Sequence, residues 1–154
     1  MSQKVTTFFM FQTGCLEAMD FYSSVIPNCR IVSKFPGPDG ELAGGTFEIE
    51  GQQFHCYNAG PHPNFVFTQA FSLMIEANTQ DEIDHLYERL SEDGEQLPCG
   101  WLTDKFGVSW QITPKYLMDN LTHPDRERAD RVTQAMFKMT KIIISDLEAA
   151  AAAS

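Results

Sequence analysis

Residues 99–113 read CGWLTDKFGVSWQIT, and the folding of this stretch constrains the rest of the chain. Apolar and aromatic side chains (Trp101, Phe106, Val108, Trp110, Ile112) flank a polar break at residues 103–105. That pattern predicts two strands joined by a tight turn, with Gly107 permitting a local backbone departure. From Val108 the alternation is strict, with Val108, Trp110 and Ile112 on one face and Ser109, Gln111 and Thr113 on the other. A strand offering Ser, Gln and Thr on one face can line a polar cavity, and it also fits an ordinary half-buried strand with a solvated outer side.

Upstream of this hairpin, residues 71–77 (FSLMIEA) read as a strand. Residues 79–82 (TQDE) then form a capping box, in which the Thr oxygen and the Glu carboxylate each satisfy a backbone N–H at a helix start. Ile83, Leu86, Tyr87 and Leu90 supply the buried stripe of that helix. Gly94 closes it, and a short strand at residues 95–97 leads into the hairpin. The second half is therefore βαβββ.

The first half repeats the pattern. Residues 5–11 (VTTFFMF) are β-branched and aromatic, as a buried strand would be. Cys15, Ala18, Met19, Tyr22, Val25 and Ile26 follow at helical spacing, with Thr13 as the expected cap and Pro27 as the stop. Three strands follow, CRIVSKF, LAGGTFEIE and QQFHCYN, separated by the turn PGPDGE and by Gly51. The connector at residues 59–64 (AGPHPN) reads as a hinge between modules. Sliding the chain on itself supports a duplication. A shift of about 65 lays Thr7 on Ser72, Glu17 on Glu82 and Tyr22 on Tyr87, and a shift of about 56 lays Gly51 on Gly107, Phe54 on Trp110 and His55 on Gln111.

After Pro114 the chain turns helical, first at PKYLMDNL and then in a long segment over residues 124–147. Ala129, Val132, Met136, Met139 and Ile143 form a narrow seam there that suits a partner chain as well as the protein's own domain. The terminal alanines are expected to fray. The predicted organisation is a first module over residues 1–60, a second over 65–114 and a helical appendage over 115–148.

The chain has 154 residues, 43% hydrophobic and 12% aromatic, which is enough for a proper core. Its net charge of −10, with no basic cluster, opposes binding to nucleic acid or anionic lipid. The apolar run at the start is too short for a signal sequence, and nowhere do eighteen apolar residues run together, so a cytoplasmic location is expected. Cys15, Cys29, Cys56 and Cys99 lack the close spacing of zinc or redox pairs and read as small buried hydrophobes. Cys15 stands apart because it falls near a helix start, where backbone N–H groups lower a thiol pKa.

Two βαβββ modules, the run AMDFY at residues 18–22 and CGWLTDKFGVSWQITP at residues 99–114 together resemble the vicinal oxygen chelate superfamily of glyoxalases, bleomycin-resistance proteins and extradiol dioxygenases. The last stretch is most similar to its PhnB-like branch. The resemblance covers roughly residues 4–114. It implies an α+β, glyoxalase-like fold in which two tandem modules form a half-open eight-strand sheet around one cavity, with C-terminal helices added. It also implies a homodimer.

In metal-bearing members of the superfamily four strands each supply one ligand, drawn from His, Glu and sometimes Gln. The corresponding places here are Thr7, His55, Ser72 and Gln111, with Phe54 competing for the place of His55. Hydroxyls and an amide are poor donors for divalent ions, so no metal ligands are assigned and no cofactor is expected. Some members of the branch are labelled demethylubiquinone methyltransferases, yet no glycine-rich loop between strand and helix, as a nucleotide-like methyl donor normally needs, is found in this chain. The expected function is binding of a small, partly apolar molecule, with His55 as the candidate proton-exchanging group. Thr7, Tyr57, Ser72 and Gln111 are the expected polar contacts, and Phe9, Trp101 and Trp110 the aromatic walls. Two alternatives remain at this stage. One is a metal-dependent lyase, isomerase or dioxygenase, if the register is off and Glu48 or Glu76 turns inward; the other is a sequestering, resistance-type binding protein.

Overall fold

A computed structural model describes residues 3–153. The chain divides into two compact units, the first ending at Val66 and the second beginning at Phe67. In the first, strand β1 (Thr7–Phe11) is followed by helix α1 (Cys15–Val25) and strands β2 (Cys29–Pro36), β3 (Leu42–Ile49) and β4 (Gln52–Asn58). The sheet order is β1-β4-β3-β2, with β1 parallel to β4 and the other pairs antiparallel.

Period-two alternation sorts the side chains of this sheet. Phe9, Phe11, Phe47, Phe54 and Cys56 are buried together with Cys15, Ala18, Met19, Tyr22 and Val25 of α1. Phe47 stacks on Phe54 with ring centroids 5.3 Å apart, and Tyr22 tilts against Phe47 at 5.8 Å. Gly45 is needed in β3, since a Cβ there would lie 2.5 Å from the backbone carbonyl oxygen of Ser33 on β2.

The helix start differs from the expectation of a Thr13 cap. The N-cap is Gly14, at φ 92° and without a side-chain bond of its own. The Cys15 N–H instead donates to Asn58 Oδ1 at 2.9 Å, so the end of β4 satisfies it.

The second unit repeats the arrangement with β5 (Ser72–Glu76), α2 (Gln80–Leu90), β6 (Glu95–Gln96), a 3-10 turn (Pro98–Gly100), β7 (Trp101–Thr103) and β8 (Ser109–Thr113). Its order is β5-β8-β7-β6, again with the first and last strands parallel. The protein is thus α+β, with its eight strands in two four-stranded sheets of matching topology. The Thr79 hydroxyl oxygen accepts from the Glu82 N–H at 3.2 Å, as expected, while Glu82 Oε1 takes the Thr79 hydroxyl rather than a backbone N–H. Tyr87 donates to the carbonyls of Leu97 and Trp101, both at 2.9 Å, and so ties α2 to the entrance of β7.

The C-terminal region departs from the sequence reading. After α3 (Lys115–Leu121), the expected long segment is two helices, α4 (Arg126–Phe137) and α5 (Ile144–Ala152). The link between them crosses the 3-10 turn, where the carbonyls of Met139 and Thr140 accept from the N–H groups of Cys99 and Gly100 at 2.8 and 2.7 Å. Of the predicted seam, Ala129 and Val132 are buried within the unit, while Met136, Met139 and Ile143 are half-buried; Ile142 and Leu147 are buried beside them. The alanine tail does not fray up to Ala152. Ala151 is buried, and Arg131 donates to the carbonyls of Ala150 and Ala151, both at 2.9 Å, capping the end of the helix.

Candidate functional site

His55 lies on the face of the first sheet away from α1. Its Nδ1 lies 2.8 Å from the Thr46 hydroxyl, directly across the β3–β4 ladder, and this contact orients the ring. Tyr57, two residues along β4 on the same face, stacks on Phe35 at 6.2 Å. Phe8 tilts over the His55 ring at 5.8 Å and is 52% exposed. This surface offers an imidazole and a phenol among aromatic rings.

Thr7 does not join them. In the parallel β1–β4 ladder, Thr7 lies opposite Phe54 and Phe8 opposite His55. Alternation therefore puts Thr7 on the buried side with Phe9 and Phe11, and Phe9, expected as a cavity wall, belongs to the same core. The error is one residue of register, which moves a side chain to the other face of a sheet. In the second sheet it is Met74 that lies opposite Gln111, so Phe8 and Met74 occupy equivalent places, one step away from the pairing of Thr7 with Ser72.

In the second sheet, Ser72 and Gln111 do meet, with Gln111 Nε2 donating to Ser72 Oγ at 3.0 Å. Trp101 is opposite Gln111 in the β7–β8 ladder and half-buried, so it shares this face. Ser109 lies opposite Ser72 and is only 1% exposed. Among the described residues its hydroxyl is the buried side-chain polar atom without a hydrogen-bond partner. Sequence reasoning put Ser109 on the correct face without singling it out, because an unmet hydroxyl is a property of packing and not of residue type.

Trp110 is a correction. It is 0% exposed, and its indole N–H donates to Asp104 Oδ2 at 2.9 Å, so it is a core anchor and no ligand wall. Asp104, 2% exposed, also accepts from the Phe106 and Val108 N–H groups through Oδ1 at 2.9 and 3.0 Å. Three donors converge on one carboxylate and hold the hairpin turn.

These donors do not suit a divalent cation. Ser72 and Gln111 offer a neutral hydroxyl and amide, His55 has one ring nitrogen engaged by Thr46, and no cluster of three or more His, Cys, Asp or Glu able to hold an ion occurs among the described residues. Glu48 and Glu76, expected inward only in another register, already share these faces, Glu48 two residues from Thr46 on β3 and Glu76 opposite Thr113; Glu48 is paired with Arg30, and Glu76 accepts from Asn78 at 2.8 Å. Nor do the strand-to-helix junctions suit a nucleotide-like methyl donor, since β1 to α1 carries the single Gly14 and β5 to α2 carries no glycine. A separate cavity of about 430 Å³ lies between the starts of α2 and α5. Its polar groups serve the joint: Gln80 bonds the Ile142 carbonyl and the Ile144 N–H at 3.0 and 2.9 Å, and Lys141 pairs with Asp84 and Glu88.

Tandem βαβββ modules, each closing its sheet with a parallel first and last strand, define a protein of the glyoxalase-like class. The family described as 3-demethylubiquinone-9 3-methyltransferase matches residues 3–113, and the chain belongs to that family, in the PhnB-like branch of the vicinal oxygen chelate superfamily. Among solved structures it is similar to the PhnB protein of Bacillus cereus, provisionally named as such a methyltransferase. Identity is 38% over 73% of this chain and 99% of that one, with a TM-score of 0.67. A Pseudomonas aeruginosa protein is 17% identical over 73% of this chain and 98% of its own, at a TM-score of 0.57. The fosfomycin resistance protein FosX of Listeria monocytogenes, solved with manganese(II) and sulfate, is 14% identical over 73% of this chain and 91% of its own, at 0.55. At such identities the last two likenesses show the fold. Curated proteins give no match.

Proposed function

We propose that the second unit binds a small, partly apolar organic molecule through the uncharged hydrogen-bonding groups Ser72, Ser109 and Gln111, and that His55 and Tyr57 form a binding face of the same kind on the first unit. Phe8 and Trp101 supply flat apolar contact, the usual composition of a ligand pocket. The observation that carries this reading is the Ser109 hydroxyl, buried and unmatched beside the Ser72–Gln111 pair. A buried hydroxyl without a partner costs free energy, and a ligand that accepts or donates there removes the cost.

His55 is the group through which a bound molecule would exchange a proton, with Thr46 holding the ring. The family's methyltransferase name is not carried over as an activity, because neither strand-to-helix junction has the loop a nucleotide-like methyl donor requires. The same reading includes a homodimer in the cytoplasm. Exposed Phe8, Phe71, Met74, Met118 and Phe137 support the dimer, and light scattering at one chain mass would refute it.

A thermal-shift screen of metabolites tests the reading. It should return an organic molecule that raises the melting temperature of the wild type, with the rise lost in Gln111→Ala or, for a molecule bound on the first unit, in His55→Ala. Hits whose effect is indifferent to both substitutions would remove the proposed face from the account.

A further inference from the structure

Two of the four cysteines are neighbours. Cys15 opens α1, and its backbone N–H is bonded to Asn58 Oδ1 at 2.9 Å. Cys56 lies two residues before Asn58 on β4, so alternation points its side chain toward the same helix start. The two thiols are hydrogen-bonded to each other, and Cys15 Sγ also approaches the Ala43 carbonyl at 3.2 Å. Both residues are fully buried, 41 positions apart in sequence and joined by no covalent bond. The backbone of Gly45 on β3 is hydrogen-bonded to Cys56.

We propose that Cys15 and Cys56 are a dithiol that a hydroperoxide converts to a disulfide within the first unit. The Cys56 hydrogen bond holds the Cys15 thiol below its ordinary pKa, against burial and the charge of Glu17, while Cys56 is pushed upward by the same bond and by burial. Cys15 is therefore the nucleophile. Its thiolate attacks the peroxide oxygen, forming an S–O bond as the O–O bond breaks, and the alkoxide or hydroxide leaves as alcohol or water. Cys56 sulfur then attacks the Cys15 sulfenic acid; the S–S bond forms, the S–O bond breaks, and the hydroxide departs as water with the Cys56 proton. Two thiols and one hydroperoxide give one disulfide, one alcohol or water, and one further water. The cross-link ties the start of α1 to the strand whose opposite face carries His55 and Tyr57.

Cys29 and Cys99 are controls within the chain. Both are half-buried, and burial with the charge of Glu48 pushes the Cys29 thiol up to about 11. The test is hydrogen peroxide treatment of the full chain, alkylation of remaining thiols under denaturing conditions, and peptide mapping by mass spectrometry. The expected result is a cross-linked peptide pair containing Cys15 and Cys56, reversed by dithiothreitol, with a melting temperature above that of the reduced protein. In Cys56→Ser, Cys15 should stop at the sulfenic acid and be captured by dimedone. If that variant does not fold, the wild-type map decides alone. Recovery of Cys15 and Cys56 both as alkylated thiols, whether or not Cys29 and Cys99 oxidise, would overturn the proposal, as would over-oxidation of Cys15 without a cross-link.

Discussion

Asp104 shows how much one side chain can organise. Its carboxylate gathers the Trp110 indole and two turn N–H groups in a site closed to water, so Asp104→Ala should cost about 3 kcal/mol by urea unfolding. Asp104→Asn keeps an acceptor for the turn but sets an amide N–H₂ against the indole N–H, and should cost roughly 1–3 kcal/mol, with a change in Trp fluorescence. Equal stability of both variants and wild type would mean that the turn holds without the carboxylate. At Ser109 the sign reverses: Ser109→Ala removes an unmet hydroxyl, so the protein should gain up to about 1–2 kcal/mol while losing affinity for any molecule bound on that face. Residue identity made the hairpin and its two faces legible. It did not reveal that Trp110 spends its N–H on Asp104, nor that Thr7 and not Phe8 turns into the core, because both depend on a register no single strand encodes.

At the scale of elements, periodicity worked where a helix or strand is bounded by its own residues. Thr79 caps α2 as its sequence indicates, and Thr79→Ala should cost about 1 kcal/mol. The α1 start was misread because its cap comes from Asn58, 43 positions downstream, and no local window contains that bond. Asn58→Ala should therefore cost about as much as losing a cap of α1's own, roughly 1 kcal/mol, although Asn58 lies in a strand. The C-terminal seam gave two buried positions, Ala129 and Val132, and the wrong number of helices, since the chain breaks where the 3-10 turn takes up the carbonyls of Met139 and Thr140.

Alkaline pH probes the helix–sheet joints. Burial, partly offset by its bond to the Leu97 carbonyl, raises the Tyr87 pKa, and burial with Glu48 raises Cys29 from 9.0 to about 11. Groups whose folded pKa is raised contribute fully below their ordinary pKa, and that contribution is lost as pH rises. The unfolding midpoint should thus fall between pH 9 and pH 11, and Cys29→Ala should flatten the first part of the decline. A midpoint independent of pH in that window would contradict the burial of both groups.

At the scale of the molecule, the doubled βαβββ pattern was readable because duplication leaves two copies of one hydrophobic code, and the two sheets repeat strand order and direction alike. Function was less legible, since the same fold serves many chemistries and the donors decide among them. In the proposed reading those donors are an imidazole held by Thr46 and a phenol on the first sheet, and two serine hydroxyls and an amide on the second, neutral groups that bind divalent ions weakly. Native mass spectrometry of the full chain after incubation with zinc or nickel tests this most directly. The account predicts no ion retained in stoichiometric amount; one ion per chain, held in the wild type and lost in His55→Ala, would contradict it.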